Sequence, residues 1–135
     1  MAAEGGVFSG YMIIQYTAAA LVAENRRLAA PASLDGGITS ALQEDILTHA
    51  TPAADKALSI ISNLQTVLAI ELLAAAQAYD VQPHPAAKAA RTGQVYALIR
   101  KQIAAYNDDR PLNADVAKLS ALMGRTSVIA PETFS

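Results

Sequence analysis

Cysteine and tryptophan are absent from the 135 residues, and only two histidines are present. Without cysteine the chain can form no disulfide framework, no thiolate zinc site and no thiol nucleophile. Two histidines are too few for a histidine-rich metal site. Aromatic residues make up only 5% of the sequence, so the apolar residues are mostly alanine, leucine, isoleucine and valine.

Charge is also sparse and nearly balanced. Charged residues make up 16% of the chain, and the net charge is −2. Such a balance lacks the basic surface that nucleic acids or anionic membranes attract, so we expect neither as a partner. The first residues lack the pattern of a secretory signal. The longest apolar stretches, residues 11–23 and 67–79, are about thirteen residues each, short of the roughly 20 that span a bilayer. We expect a cytoplasmic location.

What the sequence does contain is alanine together with leucine, isoleucine and valine, and hydrophobic residues reach 53%. Alanine is the best helix former and allows helices to approach closely. No strand pattern and no internal repeat is convincing. The sequence therefore predicts a single all-α domain over residues 1–135, a bundle of long helices, with loose tails at 1–8 and 124–135.

Turn residues divide the chain into helices. The pattern predicts a first helix over 11–28, ended by Pro31, and the longest helix over 52–79, with Thr51 as its N-cap and Pro52 as its first residue. Ser40 and Gln43 have the spacing of a capping box and predict a short helix between these two. Further helices are predicted over 86–106 and 113–123. Residues 11–23 and 67–79 are apolar on nearly every side, which indicates cover by other subunits.

One dense polar cluster stands out, Gln43-Glu44-Asp45. Its plainest interpretation is a set of carboxylates at a helix start, where the helix dipole favours negative charge. The sequence has no glycine-rich phosphate loop, no paired metal-binding histidines on a helix and no nucleophile elbow. These general motifs therefore indicate no catalytic function, and any such function must be inferred from longer segments of the sequence.

That order resembles the aromatic amino acid ammonia-lyases, and most closely the histidine ammonia-lyases among them. The resemblance is carried by residues 9–35 (SGYMIIQYTAAALVAENRRLAAPASLD), 39–45 (TSALQED) and 67–78 (VLAIELLAAAQA), and more weakly by 109–112 (DRPL). It covers nearly the whole chain, from about Phe8 to Met123. It is specific at the start and in the long helix, and loose after Asp80.

The resemblance implies a helical superbundle enzyme, usually a homotetramer, whose active sites combine several subunits. Such enzymes eliminate ammonia from an α-amino acid and leave an α,β-unsaturated acid. Their electrophile is a methylidene-imidazolone group formed from an internal Ala-Ser-Gly. This chain contains no Ala-Ser-Gly. It resembles the C-terminal part of such an enzyme, so the cofactor is expected on a partner chain.

The resemblance also implies roles for four residues. Glu44 matches the family's catalytic glutamate beside the prosthetic group, and Gln43 matches its neighbour. Met12 falls where the family lines the substrate pocket. Tyr16 lies one helical turn further along the same face, and is expected to line the pocket as well. A carboxylate facing an ammonium or imidazole group would supply charge pairing and could transfer a proton.

Around this motif the chain departs from the family. Leu42 and Ile46 replace an asparagine and a histidine, and Thr48-His49-Ala50 replaces Ser-Met-Gly. Three interpretations stay open. The chain is a lyase subunit that completes a site on a partner, a non-catalytic helical oligomerisation module derived from a lyase, or a fragment. Retention of Gln43-Glu44-Asp45 favours the first, and the changed flanking residues favour the second.

Three further ionisable residues have plainer interpretations. His49 and His84 do not match catalytic positions of the family, and each is expected to be a surface or packing residue. Glu71 lies in the apolar half of the long helix. A carboxylate there is expected to be paired at an interface, since glutamate is almost never fully buried unless it is paired.

Overall fold

The computed structural model describes residues 9–34, 40–43, 48–83 and 87–125. Within these ranges the chain forms four α-helices and no strand, which confirms the prediction of an all-α fold. They are α1 (Met12–Leu28), α2 (Ala50–Asp80), α3 (Ala90–Gln102) and α4 (Asn113–Arg125), with a single 3₁₀ turn at Ser40–Leu42. Helix α2 is the axis of the fold, because α1, α3 and α4 all pack against it.

Helices α1 and α2 run antiparallel. Near the end of α1 the side chain of Asn25 accepts a hydrogen bond from Asn63, at 2.8 Å. Just beyond α1, the Ala30 carbonyl accepts a hydrogen bond from Lys56, close to the start of α2. At the other end of α1, Ile14 joins the core formed by the second half of α2. Contacts at both ends thus fix the register of this helix pair.

The core lies around the second half of α2. Its buried residues there recur at the spacing of one helical face, and α1, α3, α4 and the segment before α4 cover that face. The core residues are Tyr11, Ile14, Ala69, Ile70, Leu73, Ala76, Ile99, Ile103, Tyr106, Val116 and Leu119. Part of the apolar surface that we expected other subunits to cover is therefore covered within the chain.

The start of α2 differs from the prediction. The helix begins at Ala50 with His49 as its N-cap residue, so Thr51 is not the cap and Pro52 is the third helical residue. Proline is tolerated there because the first N–H groups of a helix have no intrahelical partner. The Thr48 hydroxyl accepts the N–H of Ala50 at 3.4 Å. Thr48 therefore accepts the first N–H of the helix, although it precedes the N-cap residue.

The predicted capping box is also absent. Ser40 and Ala41 have φ angles of 49° and 51°, in the left-handed region, whereas an N-cap serine has extended backbone angles. The N–H of Gln43 donates to the backbone carbonyl of Ser40 at 2.9 Å. The short element is therefore a tight turn closed by the backbone.

Helix α3 is shorter than predicted. It covers Ala90–Gln102, and the backbone becomes extended at Ile103. The reason is tertiary, because Ile103 and Tyr106 turn into the core and the backbone of Tyr106 is hydrogen-bonded to Gln77 of α2. Helix α4 runs slightly beyond its prediction and includes Gly124, which was assigned to the tail.

The first half of α2 contributes no buried residue, and three large aliphatic side chains there are exposed. Leu58, Ile61 and Leu64, which we call the α2 stripe, are 65%, 51% and 48% exposed. By length and composition alone, α2 is also the one helix in the described ranges that could cross a membrane. Core helices of helical bundles meet the same criterion, so the finding marks α2 mainly as a helix that needs an apolar cover.

Candidate functional site

The two candidate substrate-binding residues of α1 lie on its outer face. Met12 is 55% exposed and Tyr16 is 68% exposed, while Tyr11 and Ile14 face the core. Residues four apart on a helix are neighbours, so Met12 and Tyr16 form one continuous surface. Their assignment to a substrate pocket stays a prediction, because none of the described residues encloses them.

The candidate catalytic residue Glu44 lies outside the described residues, as does Asp45. Gln43, the candidate substrate-binding residue beside Glu44, is exposed. It lies two residues after Ala41, which together with Ser40 has a left-handed backbone conformation. Non-glycine residues rarely adopt this conformation, and such strained backbone often occurs at functional sites. The motif thus follows a conformationally demanding turn.

A large groove opens between α1, α2 and α4. It was not predicted from the sequence. Its volume is about 1100 Å³. Its apolar lining residues include Ile13, Ile70 and Val116, and its charged lining residues are Asp109 and Arg110. Met12 and Tyr16 are not among its lining residues. The groove combines three helices distant in sequence, so no local pattern could have indicated it.

The carboxylate of Asp109 binds three groups that also line the groove. It accepts the N–H of Ser9 at 2.8 Å, the N–H of Gly10 at 3.1 Å and the hydroxyl of Tyr106 at 2.9 Å. The hydrogen bond from Ser9 contributes most to lowering the pKa of Asp109 below its ordinary value. Such bonds favour the ionised carboxylate over the protonated form.

Arg110 is the neighbouring charged residue of the groove. Its guanidinium forms an ion pair with Asp115 of α4 at 2.7 Å and donates to the carbonyls of Ala104 and Ala105. It also lies over the ring of Tyr106, 5.1 Å from the ring centroid. Asp109 and Arg110 belong to the DRPL segment. That segment resembles the lyase family, but the resemblance implied no role for either residue.

The remaining ionisable candidates are separate from this cluster. His49 is half-buried, and its Nε2 atom is buried without a hydrogen-bond partner. Glu71 is exposed and takes part in none of the ion pairs found in the described ranges. His84 lies outside the described residues. Among the residues that the structure describes, no three acidic or histidine side chains are grouped closely enough to hold a metal ion.

Comparison with known proteins decides the family. The sequence model of the aromatic amino acid lyases matches residues 1–101. This chain belongs to the aromatic amino acid lyase family. The histidine ammonia-lyase of Symbiobacterium thermophilum is 49% identical over 127 residues, which are 93% of this chain and 25% of that protein. The histidine ammonia-lyase of Natranaerobius thermophilus is 48% identical over 120 residues, 89% of this chain and 24% of that protein.

Solved lyase-family structures agree with the fold. Histidine ammonia-lyase from Trypanosoma cruzi superposes with a TM-score of 0.86 at 37% identity, over 93% of this chain and 24% of that one. Tyrosine aminomutase from Streptomyces globisporus gives a TM-score of 0.83 at 28% identity, with the same coverage. The chain thus spans about a quarter of the length of the relatives that it matches, and the matched quarter is their C-terminal part.

Proposed function

We propose that this chain is the C-terminal part of an amino acid ammonia-lyase and completes an active site whose electrophile lies on another chain. The observation that carries the proposal is its 43–49% identity to the C-terminal quarter of histidine ammonia-lyases. The candidate site residues Met12, Tyr16, Gln43 and Glu44 all lie within the matched region.

This chain cannot form the methylidene-imidazolone group of the family from its own residues. The group forms from Ala-Ser-Gly, and the sequence contains none. The proposal therefore assigns the group to a lyase-like partner chain. This chain's own contribution is to bind and orient the amino acid, with Glu44 pairing with its ammonium or imidazole group. Met12 and Tyr16 would form a wall against its side chain.

Exposed apolar surface supports the need for a partner. Met12, Ile13 and Tyr16 on α1 and the α2 stripe are each about half exposed or more. Monomeric proteins rarely expose apolar patches of such extent. The three-quarters of a lyase that this chain lacks would supply a matching cover, and so would further copies of the chain. We accordingly propose assembly in the cytoplasm rather than insertion into a membrane.

The test is reconstitution with a lyase that lacks its C-terminal quarter. The Symbiobacterium enzyme, ended before the matched region, would be coexpressed with this chain. Its own C-terminal quarter, supplied as a separate chain, is the positive control. We expect the complex with this chain to release ammonia from histidine, phenylalanine or tyrosine. Because the chain lacks Ala-Ser-Gly, we expect the isolated chain to release none.

Glu44→Gln removes the charge and preserves the size of the side chain. In the reconstituted complex it should lower turnover by about 10²–10⁴-fold, the usual effect of losing one well-placed catalytic group. Asp45→Asn is the matched control and should leave turnover near the parent value. Turnover by the mass-verified isolated chain, or an unchanged rate with Glu44→Gln, would contradict the proposal.

The second candidate is a non-catalytic helical module. It is favoured by the changes at Leu42 and Ile46, which flank Gln43-Glu44-Asp45 on both sides. In that case this chain would bind the shortened lyase as tightly as the control quarter does, and the complex would release no ammonia. Restoring Asn at position 42 and His at position 46 would then be expected to restore activity.

A further inference from the structure

The start of α1 is held by a residue nearly one hundred positions away in sequence. Ser9 and Gly10 donate their N–H groups to the two carboxylate oxygens of Asp109. Gly10 is buried and has a φ angle of 58°, which lets the chain turn sharply into the helix. The carbonyl of Ser9 in turn accepts the N–H of Met12 at 3.3 Å. Asp109 is therefore two hydrogen bonds from the backbone of Met12.

Asp109 is itself tied to the core through Tyr106. The Tyr106 hydroxyl donates to Asp109 and accepts the N–H of Arg110 at 3.2 Å. The backbone of Tyr106 is fixed by Gln77, which is 1% exposed. A continuous set of hydrogen bonds thus runs from buried Gln77 in the last turn of α2, through Tyr106 and Asp109, to Met12, the first residue of α1.

Tyr106 also contacts the start of α1 directly, through the ring of Tyr11. The rings of Tyr11 and Tyr106 meet edge to face, with centroids 5.2 Å apart. Tyr11 is 6% exposed, whereas its neighbour Met12 is 55% exposed. The Tyr11 contact holds the inner side of the helix start and leaves Met12 and, one turn on, Tyr16 directed outward. Rotation or sliding of α1 would have to break both contacts.

We propose that Asp109 is a positioning residue for substrate binding, which holds the start of α1 so that Met12 and Tyr16 present one fixed surface to the substrate. This inference rests on the proposed function, since it takes Met12 and Tyr16 as the wall of the pocket. Binding surfaces must be placed closely, and misplacement by about 1 Å can cost 10²-fold in rate. Asp109 acts through the backbone of Ser9 and Gly10 and makes no contact with the substrate.

The test uses the reconstituted complex and three variants. Asp109→Ala removes both acceptors, Asp109→Asn retains one acceptor oxygen, and Asp108→Ala removes a neighbouring exposed carboxylate as the control. For Asp109→Ala we expect KM for the amino acid to rise about tenfold with a much smaller change in kcat, the pattern of lost binding. Asp109→Asn should lie between Asp109→Ala and the parent, and Asp108→Ala should match the parent.

A merely structural role predicts a different pattern. It would reduce the thermal midpoint and the amount of active complex, and hence the apparent kcat, while KM stayed at the parent value. That pattern, or a KM for Asp109→Ala equal to that of Asp108→Ala, would overturn the inference.

Amide hydrogen exchange separates this inference from the proposed function. If the parent complex releases no ammonia, the proposed function fails. The exchange rates alone then test whether Asp109 holds the start of α1. In the full chain, Asp109→Ala should speed exchange at Ser9, Gly10 and Met12 relative to Asp108→Ala, because their hydrogen bonds depend on the carboxylate. Equal exchange in the two variants would show that Asp109 does not hold the start of α1.

Discussion

The side chain of Gln77 and the backbone of Tyr106 form a reciprocal pair of hydrogen bonds. Gln77 Nε2 donates to the Tyr106 carbonyl at 2.8 Å, and the Tyr106 N–H donates to Gln77 Oε1 at 2.9 Å. Gln77 is one of two buried polar residues in the described ranges. Tyr106 lies in irregular chain between α3 and α4, so its buried backbone groups depend on this one side chain.

Gln77→Ala should therefore be strongly destabilising. It would leave one donor and one acceptor of Tyr106 unpaired, at about 1–3 kcal/mol each, so we expect a loss of roughly 2–6 kcal/mol in the free energy of unfolding. Urea denaturation followed by circular dichroism measures it. Gln94→Ala, an exposed glutamine of α3, is the control and should change the midpoint little. Similar midpoints for the two variants would contradict the assigned role of Gln77.

Gly93→Ala should stabilise the chain. Gly93 lies inside α3, and a Cβ atom there would be 3.7 Å from the Cβ of Lys88, an ordinary van der Waals contact. Alanine in a helix interior is favoured over glycine by about 0.5–1 kcal/mol, since glycine loses more backbone entropy on folding. The thermal midpoint should rise, and a lower midpoint would mean that α3 needs the glycine for a contact outside this chain.

Local signals in the sequence were sufficient for α1. Gly10 and Pro31 border the apolar pattern, and the helix was predicted over 11–28 and found at Met12–Leu28. Local signals were insufficient for the end of α3. The helical pattern of the sequence continues to Tyr106, but the helix stops at Gln102. Ile103 and Tyr106 leave the helix because the core and Gln77 bind them more favourably than another helical turn would. Nothing within the segment reveals that competition.

The candidate site divides in a similar way. Met12 and Tyr16 were predicted on one face from helical spacing, together with a family resemblance, and the helix indeed places them side by side. The role of Asp109 could not be predicted, because its contacts with Ser9 and Gly10 join residues about a hundred positions apart. The sequence offered only the DRPL resemblance, which named the residue and gave no contact.

Alkaline pH should weaken the fold through its buried tyrosines. Burial raises the pKa of Tyr11, and also that of Tyr106, above the ordinary value of 10.0. Above pH 10 the unfolded chain ionises first, so the stability present at neutral pH is lost as pH rises towards the folded-state pKa. Tyr11→Phe removes one such group. Its free energy of unfolding should fall less than the parent's between about pH 8 and pH 11.

Tyr16→Phe is the matched control for this titration. Tyr16 is 68% exposed, on the same helix as Tyr11. The variant should follow the parent's decline with pH, because it leaves both buried tyrosines, Tyr11 and Tyr106, in place. If Tyr11→Phe and Tyr16→Phe decline equally, burial of Tyr11 does not drive the alkaline loss.

Association should depend on the α2 stripe. Full burial of an isoleucine or leucine side chain contributes about 1.5–3 kcal/mol. Ile61→Gln should therefore weaken self-association, or binding to the shortened lyase, by about tenfold or more in the dissociation constant. Light scattering and sedimentation over a concentration series measure the first, and titration of the shortened lyase measures the second.

We expect the parent chain to be associated at micromolar concentration, because an uncovered stripe of this kind is rare on a stable monomer. Leu98→Gln, an apolar residue of α3 that is 37% exposed, is the control and should leave association unchanged. A compact and stable parent monomer would show that the stripe needs no cover. Equal weakening by Ile61→Gln and Leu98→Gln would instead indicate a general effect of lost apolar surface rather than an interface on α2.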